Sequence, residues 1–148
     1  MNEYSPVEIL FIEDNDYDAE LAIRTLKKHN LADKLKHIDD GAEALDFIFS
    51  RGAYSGSDQL SGLKLIILDL KLPRVNGLEI LTELKADEHK KMIPVVVLTS
   101  SREERDVIEC CRLGVNSYIV KPVNFESFNR AIADLGSYWL LLNQSPGS

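Results

Sequence analysis

Five short apolar segments alternate with segments in which apolar residues recur every three or four positions, and this alternation limits the fold more than any other feature. The apolar segments are VEILFI (7–12), LKHI (35–38), LKLIIL (63–68), VVVL (95–98) and VNSYIV (115–120). Several are apolar at nearly every position, which is typical of strands in a parallel sheet covered by helices on both faces. We therefore predict an α/β fold with five parallel strands and five helices.

The segments that follow the strands have helical periodicity. Their apolar positions are Ala19, Ala22, Ile23 and Leu26; Ala42, Leu45, Ile48 and Phe49; a run from about Leu78; Val107, Ile108 and Cys111; and Phe125, Phe128, Ile132 and Leu135. Gly114 is expected to end the fourth helix. Residues 50–62 are rich in Gly and Ser and lack periodicity, so we expect a long surface loop there. We expect residues 1–148 to form a single domain with no output domain.

Charge and cysteine content exclude several classes of function. The net charge of -7 argues against non-specific nucleic-acid binding and against docking on anionic membranes, which both need a basic surface. Cys110 and Cys111 are adjacent, a poor disulfide framework, so we expect a reducing cytoplasm. His29, His37 and His89 lie far apart without metal-ligand spacing, and we expect each at the surface.

Polar residues follow the ends of four predicted strands. They are Glu13 and Asp14, Asp69, Thr99 with Ser100 and Ser101, and Lys121. Taken singly, an acid after a strand is most often a helix N-cap, a hydroxyl can cap the next helix, and a lysine is usually solvated. In a parallel sheet, however, the carboxyl ends of the strands share one edge, where ligands bind. We therefore expect these side chains to converge.

Their combined chemistry suits phosphoryl transfer. Crowded carboxylates repel one another unless a cation joins them, and Mg²⁺ is the hard cation that binds both carboxylate and phosphate oxygens. A carboxylate such as that of Asp69 can attack phosphorus and form an acyl phosphate. A metal, an ammonium and a hydroxyl can then neutralise the phosphoryl oxygens.

Four motifs together resemble the receiver domain of two-component response regulators. They are ED (13–14), LDLKLPRVNG (68–77), LTSS (98–101) and YIVKP (118–122). The resemblance covers nearly the whole chain, with the motifs in the family's order and spacing. It implies a flavodoxin-like doubly wound sheet with strand order 2-1-3-4-5.

The resemblance also implies a metal site. Asp69 matches the family's phosphoacceptor. Glu13 and Asp14 match the acidic pair that holds Mg²⁺ with Asp69, Asp14 directly and Glu13 through water. Lys71 matches the position whose backbone carbonyl completes the metal shell, and its side chain adds a cation beside the phosphorylation site.

A switch is implied as well. Thr99 matches the family's switch hydroxyl, and Tyr118 matches the aromatic switch residue. Lys121 matches the phosphate-binding lysine, joined to Pro122 by a cis peptide bond.

The implied function is a signalling module rather than an enzyme. Asp69 accepts a phosphoryl group from a sensor histidine kinase, and the domain assists its own phosphorylation and dephosphorylation. Output is expected through a downstream protein or onward phosphotransfer. The loop before the third strand and the segment GSYWLLLN (136–143) further resemble the small regulators paired with bacterial phytochrome kinases.

Three alternatives were weighed against this interpretation. Aspartyl phosphatases of the haloacid dehalogenase type need a second acid two residues after the nucleophile, where this chain has Lys71. A flavodoxin needs a hydroxyl- and glycine-rich loop after the first strand, where this chain has EDNDYD (13–18). A pseudo-receiver that binds partners without phosphorylation would lack an acid or the lysine, and none is missing.

The last helix is the expected contact surface. Residues 138–142 are five consecutive large apolar residues, more than one face of a helix can bury. We expect a homodimer, or docking on the kinase, through this helix with the fourth helix and fifth strand. The alternatives are that the helix end folds back over the core or that this segment is less helical than its pattern indicates.

Overall fold

The computed structural model describes residues 7–28, 30, 33–56, 62–121, 126, 127 and 130. Its sheet has five strands, which are β1 (Ile9–Ile12), β2 (Leu35–Ile38), β3 (Leu65–Leu68), β4 (Val95–Thr99) and β5 (Ser117–Val120). Every neighbouring pair is parallel, and the order is β2-β1-β3-β4-β5. The predicted flavodoxin-like order is therefore confirmed.

Four helices follow the first four strands, as predicted. They are α1 (Asp16–Lys28), α2 (Gly41–Phe49), α3 (Gly77–Ala86) and α4 (Glu104–Arg112). Gly114 follows α4 with a positive φ of 86°, the predicted helix end. The predicted fifth helix lies outside the described residues, apart from Glu126, Ser127 and Arg130, which are helical.

The core lies on both faces of the sheet. Along β1, Leu10 and Ile12 pack into a cluster with α2 and α3, whereas Ile9 and Phe11 pack into a second cluster with α1. All four side chains are fully buried. Strands apolar on both faces are what a doubly covered parallel sheet requires, since alternate side chains point to opposite faces.

Side-chain caps begin three helices at the same edge of the sheet. The Asn15 side chain accepts a hydrogen bond from the Asp18 N–H at 2.9 Å, and Asn76 accepts one from the Glu79 N–H at 3.0 Å. Asp40 accepts from two N–H groups of the first turn of α2. These caps satisfy amides that would otherwise lack partners.

The predicted loop at 50–62 has more structure than the sequence indicates. Ser50 adopts the left-handed conformation with φ 53°, and Gly52–Tyr54 form a 3-10 helix. The Tyr54 ring packs edge-on against Phe47 with ring centroids 5.2 Å apart. Residues 57–61 lie outside the described part. No helix among the described residues has the length and apolar character needed to cross a bilayer.

Candidate functional site

Strand register brings the predicted site residues to one edge. Ile12 is aligned with Leu68, and the Asp69 N–H donates to the Ile12 carbonyl at 3.0 Å. The Lys121 N–H donates to the Thr99 carbonyl at 2.7 Å. Residues separated by more than fifty positions in sequence are thus neighbours in space, as the parallel-strand geometry predicted.

The ammonium of Lys121 lies among three carboxylates. Its Nζ is 3.1 Å from Asp69 Oδ2, 2.9 Å from Glu13 Oε2 and 2.9 Å from Asp18 Oδ2. The Lys121 side chain is only 10% exposed. Burial alone would lower the pKa of Lys121, but the contacts with Asp18, Glu13 and Asp69 outweigh it and raise the pKa above its ordinary value.

Glu13 is a fully buried carboxylate with an unsatisfied oxygen. Its Oε2 accepts from Lys121 and from the Asn15 N–H at 3.1 Å. Its Oε1 is also 2.9 Å from the Lys121 Nζ in an ion pair, but Oε1 has no hydrogen-bond partner within the described part of the chain. Burial raises the pKa of Glu13 from 4.5 to about 7, with Lys121 offsetting part of the effect.

The acidic group fits a divalent metal. Carboxylate oxygens of Glu13, Asp14 and Asp69 lie within 4.8 Å of one another. Asp14 is exposed, whereas Glu13 and Asp69 are buried, so the group is open on one side. An oxygen-liganded cation would relieve the repulsion between the carboxylates, and a water bound to it could donate to Glu13 Oε1, which is ion-paired but not hydrogen-bonded.

The loop after β3 holds Asp69 in place. The Lys71 N–H donates to Asp69 Oδ1 at 3.1 Å, while the Lys71 side chain is exposed. Gly77 donates its N–H to the Leu70 carbonyl at 2.8 Å, and a Cβ at Gly77 would lie only 2.3 Å from the Asp69 carbonyl oxygen. Any larger residue at Gly77 would displace the backbone of Asp69.

Ser101 links Thr99 to Tyr118, although the sequence placed Ser101 only among the polar residues that follow the fourth strand. Thr99 is the fully buried last residue of β4, not the first residue after it, and its hydroxyl accepts from the Ser101 N–H at 3.3 Å. The Tyr118 hydroxyl donates to the Ser101 carbonyl at 3.0 Å, and burial raises the pKa of Tyr118. The Ser101 hydroxyl donates to Asp106 at 2.5 Å. Pro122 lies outside the described residues.

Two residues near the site were missed or misplaced from the sequence. Asp18 was not predicted to contact Lys121; it lies in the first turn of α1, and no motif in the sequence singles it out. His37 was expected at the surface, and it is only partly exposed. His37 is half-buried, and its Nε2 lies 2.7 Å from the Glu13 carbonyl. Because a carbonyl only accepts, this nitrogen carries the proton.

Cofactor-binding flavodoxins share this sheet order, so the acidic group and the lysine at the carboxyl edge, not the fold alone, indicate the class of protein. The family model for the response regulator receiver domain matches residues 9–133. The chain belongs to this family. Receiver domains are signalling domains that work with histidine kinases and are generally not enzymes.

Similar proteins cover almost the whole chain. Response regulator Rcp1 of Synechocystis is 38% identical over 91% of this chain and 90% of its own length. A structure of the Mn²⁺-bound form of Rcp1 has a TM-score of 0.77, covering 96% of this chain and all of that one, at 37% identity. A probable methanogenesis regulatory protein, FilR2 of Methanothrix harundinacea, is 37% identical over 96% of this chain and 89% of its own length.

A phosphorylated structure is also among the similar proteins. It is that of the cyanobacterial phytochrome response regulator RcpA, with a TM-score of 0.76 and 32% identity over 97% of this chain and all of that one. The family, the fold and the phosphorelay receiver role of this chain are therefore in agreement.

Proposed function

We propose that Asp69 is the phosphoacceptor and that a histidine kinase is the phosphoryl donor. The observation that carries this assignment is the position of Asp69: one carboxylate oxygen contacts Lys121, and the group also lies beside Asp14 and Glu13. In the transfer, a carboxylate oxygen of Asp69 bonds to phosphorus. The bond from phosphorus to the kinase histidine breaks, and its electron pair leaves with the imidazole.

Mg²⁺ is the proposed metal. Asp14 and Asp69 would bind it directly, Glu13 through water, and the backbone carbonyl of Lys71 would complete the protein ligands. The metal supplies positive charge for the phosphoryl oxygens when bound. Lys121 and the Thr99 hydroxyl supply hydrogen bonds to the same oxygens.

An open cleft beside the acidic group gives a donor access. The cleft has a volume of about 700 Å³ and extends from Asp14 and Lys71, past Pro73, to Arg105 on α4. It is lined by both charged and apolar side chains. Asp69 itself does not line the cleft, but Asp14, Leu70 and Lys71 do, so a protein donor bound there would lie beside the acidic group.

The assignment is tested with acetyl phosphate, Mg²⁺ and intact-mass spectrometry. Wild type is expected to gain one phosphoryl group and Asp69→Asn none. Asp39→Asn is the matched control, because Asp39 is an exposed aspartate just after the neighbouring strand β2, and it should be phosphorylated like wild type. Full modification of Asp69→Asn would refute the assignment.

The proposed switch joins Thr99 to Tyr118. If the Thr99 hydroxyl moves toward a phosphoryl group, its bond to the Ser101 N–H is lost, and Ser101 also holds the Tyr118 hydroxyl. Thr99→Ala should therefore accept phosphate at Asp69 but lose the change in partner affinity, measured by binding titration with and without acetyl phosphate. An unchanged affinity response in Thr99→Ala would remove Thr99 from the switch.

The proposed kinase is of the phytochrome type, in a cytoplasmic pathway. Support comes from the similarity to RcpA, whose description names a phytochrome, while the similarity to FilR2 leaves another class of sensor as the rival. Phosphotransfer rates from one kinase of each class separate the two. Faster transfer from the kinase that is not a phytochrome would overturn the proposal.

The proposed protein contact surface is α4 with β5 and the predicted fifth helix. Ile108 on α4 is 57% exposed, which supports a contact there. Residues 138–142 lie outside the described residues. Sedimentation of wild type against Ile108→Glu tests a homodimer through this surface, and that interface is excluded if both proteins sediment as the same species at high concentration.

A further inference from the structure

Lys121 contacts a third carboxylate to which neither the strand-end geometry nor the family resemblance assigns a role. Asp18 Oδ2 lies 2.9 Å from the Lys121 Nζ. Asp18 is in the first turn of α1, where its own N–H is held by the Asn15 side chain at 2.9 Å. The contact is therefore fixed at both ends, by a helix cap on one side and by a strand end on the other.

The ammonium of Lys121 is surrounded by carboxylates, since it donates hydrogen bonds to Glu13 and Asp69 and forms an ion pair with Asp18. An ammonium donates three hydrogen bonds, and Nζ lies within 3.1 Å of oxygens from Asp18, Glu13 and Asp69. A phosphoryl group on Asp69 adds anionic oxygens that need the same donor. The Lys121–Asp69 contact can pass to the phosphoryl oxygens that Asp69 then carries, but any further phosphoryl oxygen that Lys121 contacts competes with Glu13 or Asp18.

Burial decides which contact yields. The Glu13 side chain is 0% exposed and already has an oxygen without a hydrogen bond, so losing Lys121 would leave a buried charge unpaired at high cost. The Asp18 side chain is 21% exposed. Water can replace the ammonium there, as it does at partly exposed ion pairs of low net worth. Asp18 is the exchangeable partner.

We propose that Asp18 is a positioning residue that competes with the phosphoryl group for Lys121 and thereby slows phosphorylation of Asp69. The proposal rests on Asp69 being the phosphoacceptor. With acetyl phosphate as donor, a bond forms between Asp69 and phosphorus while the bond from phosphorus to acetate breaks, and acetate leaves with the electron pair. Asp18 takes no part in these bond changes and acts only through the position of Lys121.

The experiment measures the rate constant of Asp69 phosphorylation by acetyl phosphate at saturating Mg²⁺ in the full chain. Asp18→Asn is expected to react about threefold faster than wild type, the scale of a partly exposed ion pair. Asp18→Glu keeps the charge and should stay closer to the wild-type rate. Asp16→Asn is the matched control, because Asp16 is exposed in the same helical turn and loses the same charge; its rate should change by less than about 1.5-fold.

A double-mutant cycle with Lys121→Met separates the local contact from a general effect of charge. In the Lys121→Met background, Asp18→Asn should leave the rate unchanged, because the ammonium for which Asp18 and the phosphoryl group compete is absent. Acceleration that persists there, or a slower reaction of Asp18→Asn alone, overturns the proposal. If wild type accepts phosphate and Asp18→Asn does so at the same rate, only the role of Asp18 fails. If wild type accepts none, the phosphoacceptor assignment fails with it.

Discussion

Two clusters, each made of acidic and basic side chains, lie on neighbouring loops at the carboxyl edge of the sheet. In one cluster the acids outnumber the bases, and in the other the two are equal in number. In the Lys121 cluster, one ammonium that is 10% exposed serves the carboxylates of Glu13, Asp18 and Asp69. Asp14 adds a fourth acid beside them. The cluster is negative overall and contains a buried carboxylate oxygen, Glu13 Oε1, that is ion-paired but not hydrogen-bonded.

The second cluster pairs one guanidinium with one carboxylate. Arg74 donates its Nε to Asp40 Oδ1 at 3.0 Å and its Nη2 to Oδ2. Arg74 is 68% exposed and has a left-handed backbone with φ 68°. Asp40 also caps α2, so the pair ties the loop after β3 to the start of α2. In the Arg74–Asp40 pair, one positive charge balances one negative charge. The pair therefore has a structural role and needs no ligand to neutralise it.

The comparison indicates that an excess of acids over bases, not the presence of ion pairs, distinguishes the proposed phosphoacceptor site. A structural pair satisfies its own charges. A site that must bind a cation and then an anion keeps charges that only the ligands balance.

Removing the cation of the Lys121 cluster should have the largest effect on stability and on phosphorylation. Lys121→Met leaves three carboxylates without their partner, so we expect a loss of about 3 kcal/mol in metal-free unfolding free energy and about 100-fold slower phosphorylation. Denaturant titration with and without Mg²⁺ measures the first effect, and the metal should stabilise Lys121→Met more than wild type. Equal stabilisation of both proteins would mean that the acids do not share one electrostatic site.

Removing an acid should have opposite consequences for metal and for stability. Asp14→Asn is expected to weaken Mg²⁺ binding about tenfold, equivalent to about 1.4 kcal/mol, because the metal loses a charged ligand. The same change relieves repulsion, so the metal-free protein should be at least as stable as wild type. Calorimetric titration and thermal melts in chelator measure the two effects. A clear loss of metal-free stability would identify Asp14 as a structural cap instead.

The pH dependence of stability should have opposite signs in the two clusters. Burial raises the pKa of Glu13 to about 7, so its contribution to metal-free stability is present below 4.5 and is lost as pH rises through about 7. The hydrogen bond from Arg74 lowers the pKa of Asp40 below 3.8, so its contribution is present above that pH and is lost in stronger acid.

Unfolding free energies between pH 5 and 8 in chelator test the contrast. The difference between wild type and Glu13→Gln should change across this range, while Asp40→Asn should follow wild type in slope, because Asp40 is ionised throughout. A pH-independent difference for Glu13→Gln would show that Glu13 does not take up its proton on folding.

The smallest effect is expected at Arg74. Arg74→Ala should lower the melting temperature by no more than about 3 °C, because an exposed pair contributes little. Phosphorylation by acetyl phosphate should keep its wild-type rate. A large loss of phosphorylation would show that the Arg74–Asp40 pair positions Asp69 through the loop after β3.

Most of the fold and the central site residues follow from the sequence for definite reasons. Apolar periodicity distinguishes strand from helix, and parallel strands bring their carboxyl ends together. These two facts place Glu13, Asp69, Thr99 and Lys121 without any knowledge of side-chain contacts.

The remaining features depend on geometry that no local pattern encodes. The Asn15 cap fixes how the first turn of α1 is oriented, and this orientation brings Asp18 to Lys121. Arg74 reaches Asp40 because its own backbone adopts a positive φ. His37 meets the Glu13 carbonyl because β2 is aligned with β1.

The most direct test of the central claim locates the phosphoryl group with and without metal. Wild type is incubated with acetyl phosphate in Mg²⁺ or in chelator, cleaved by protease, and mapped by mass spectrometry. The excess of acids around Lys121 predicts a phosphoryl group on the peptide containing Asp69, formed rapidly with Mg²⁺ and not in chelator. A phosphoryl group on another residue, or equal modification of Asp69 in chelator, would contradict the claim that these acids form a metal-dependent phosphoacceptor site.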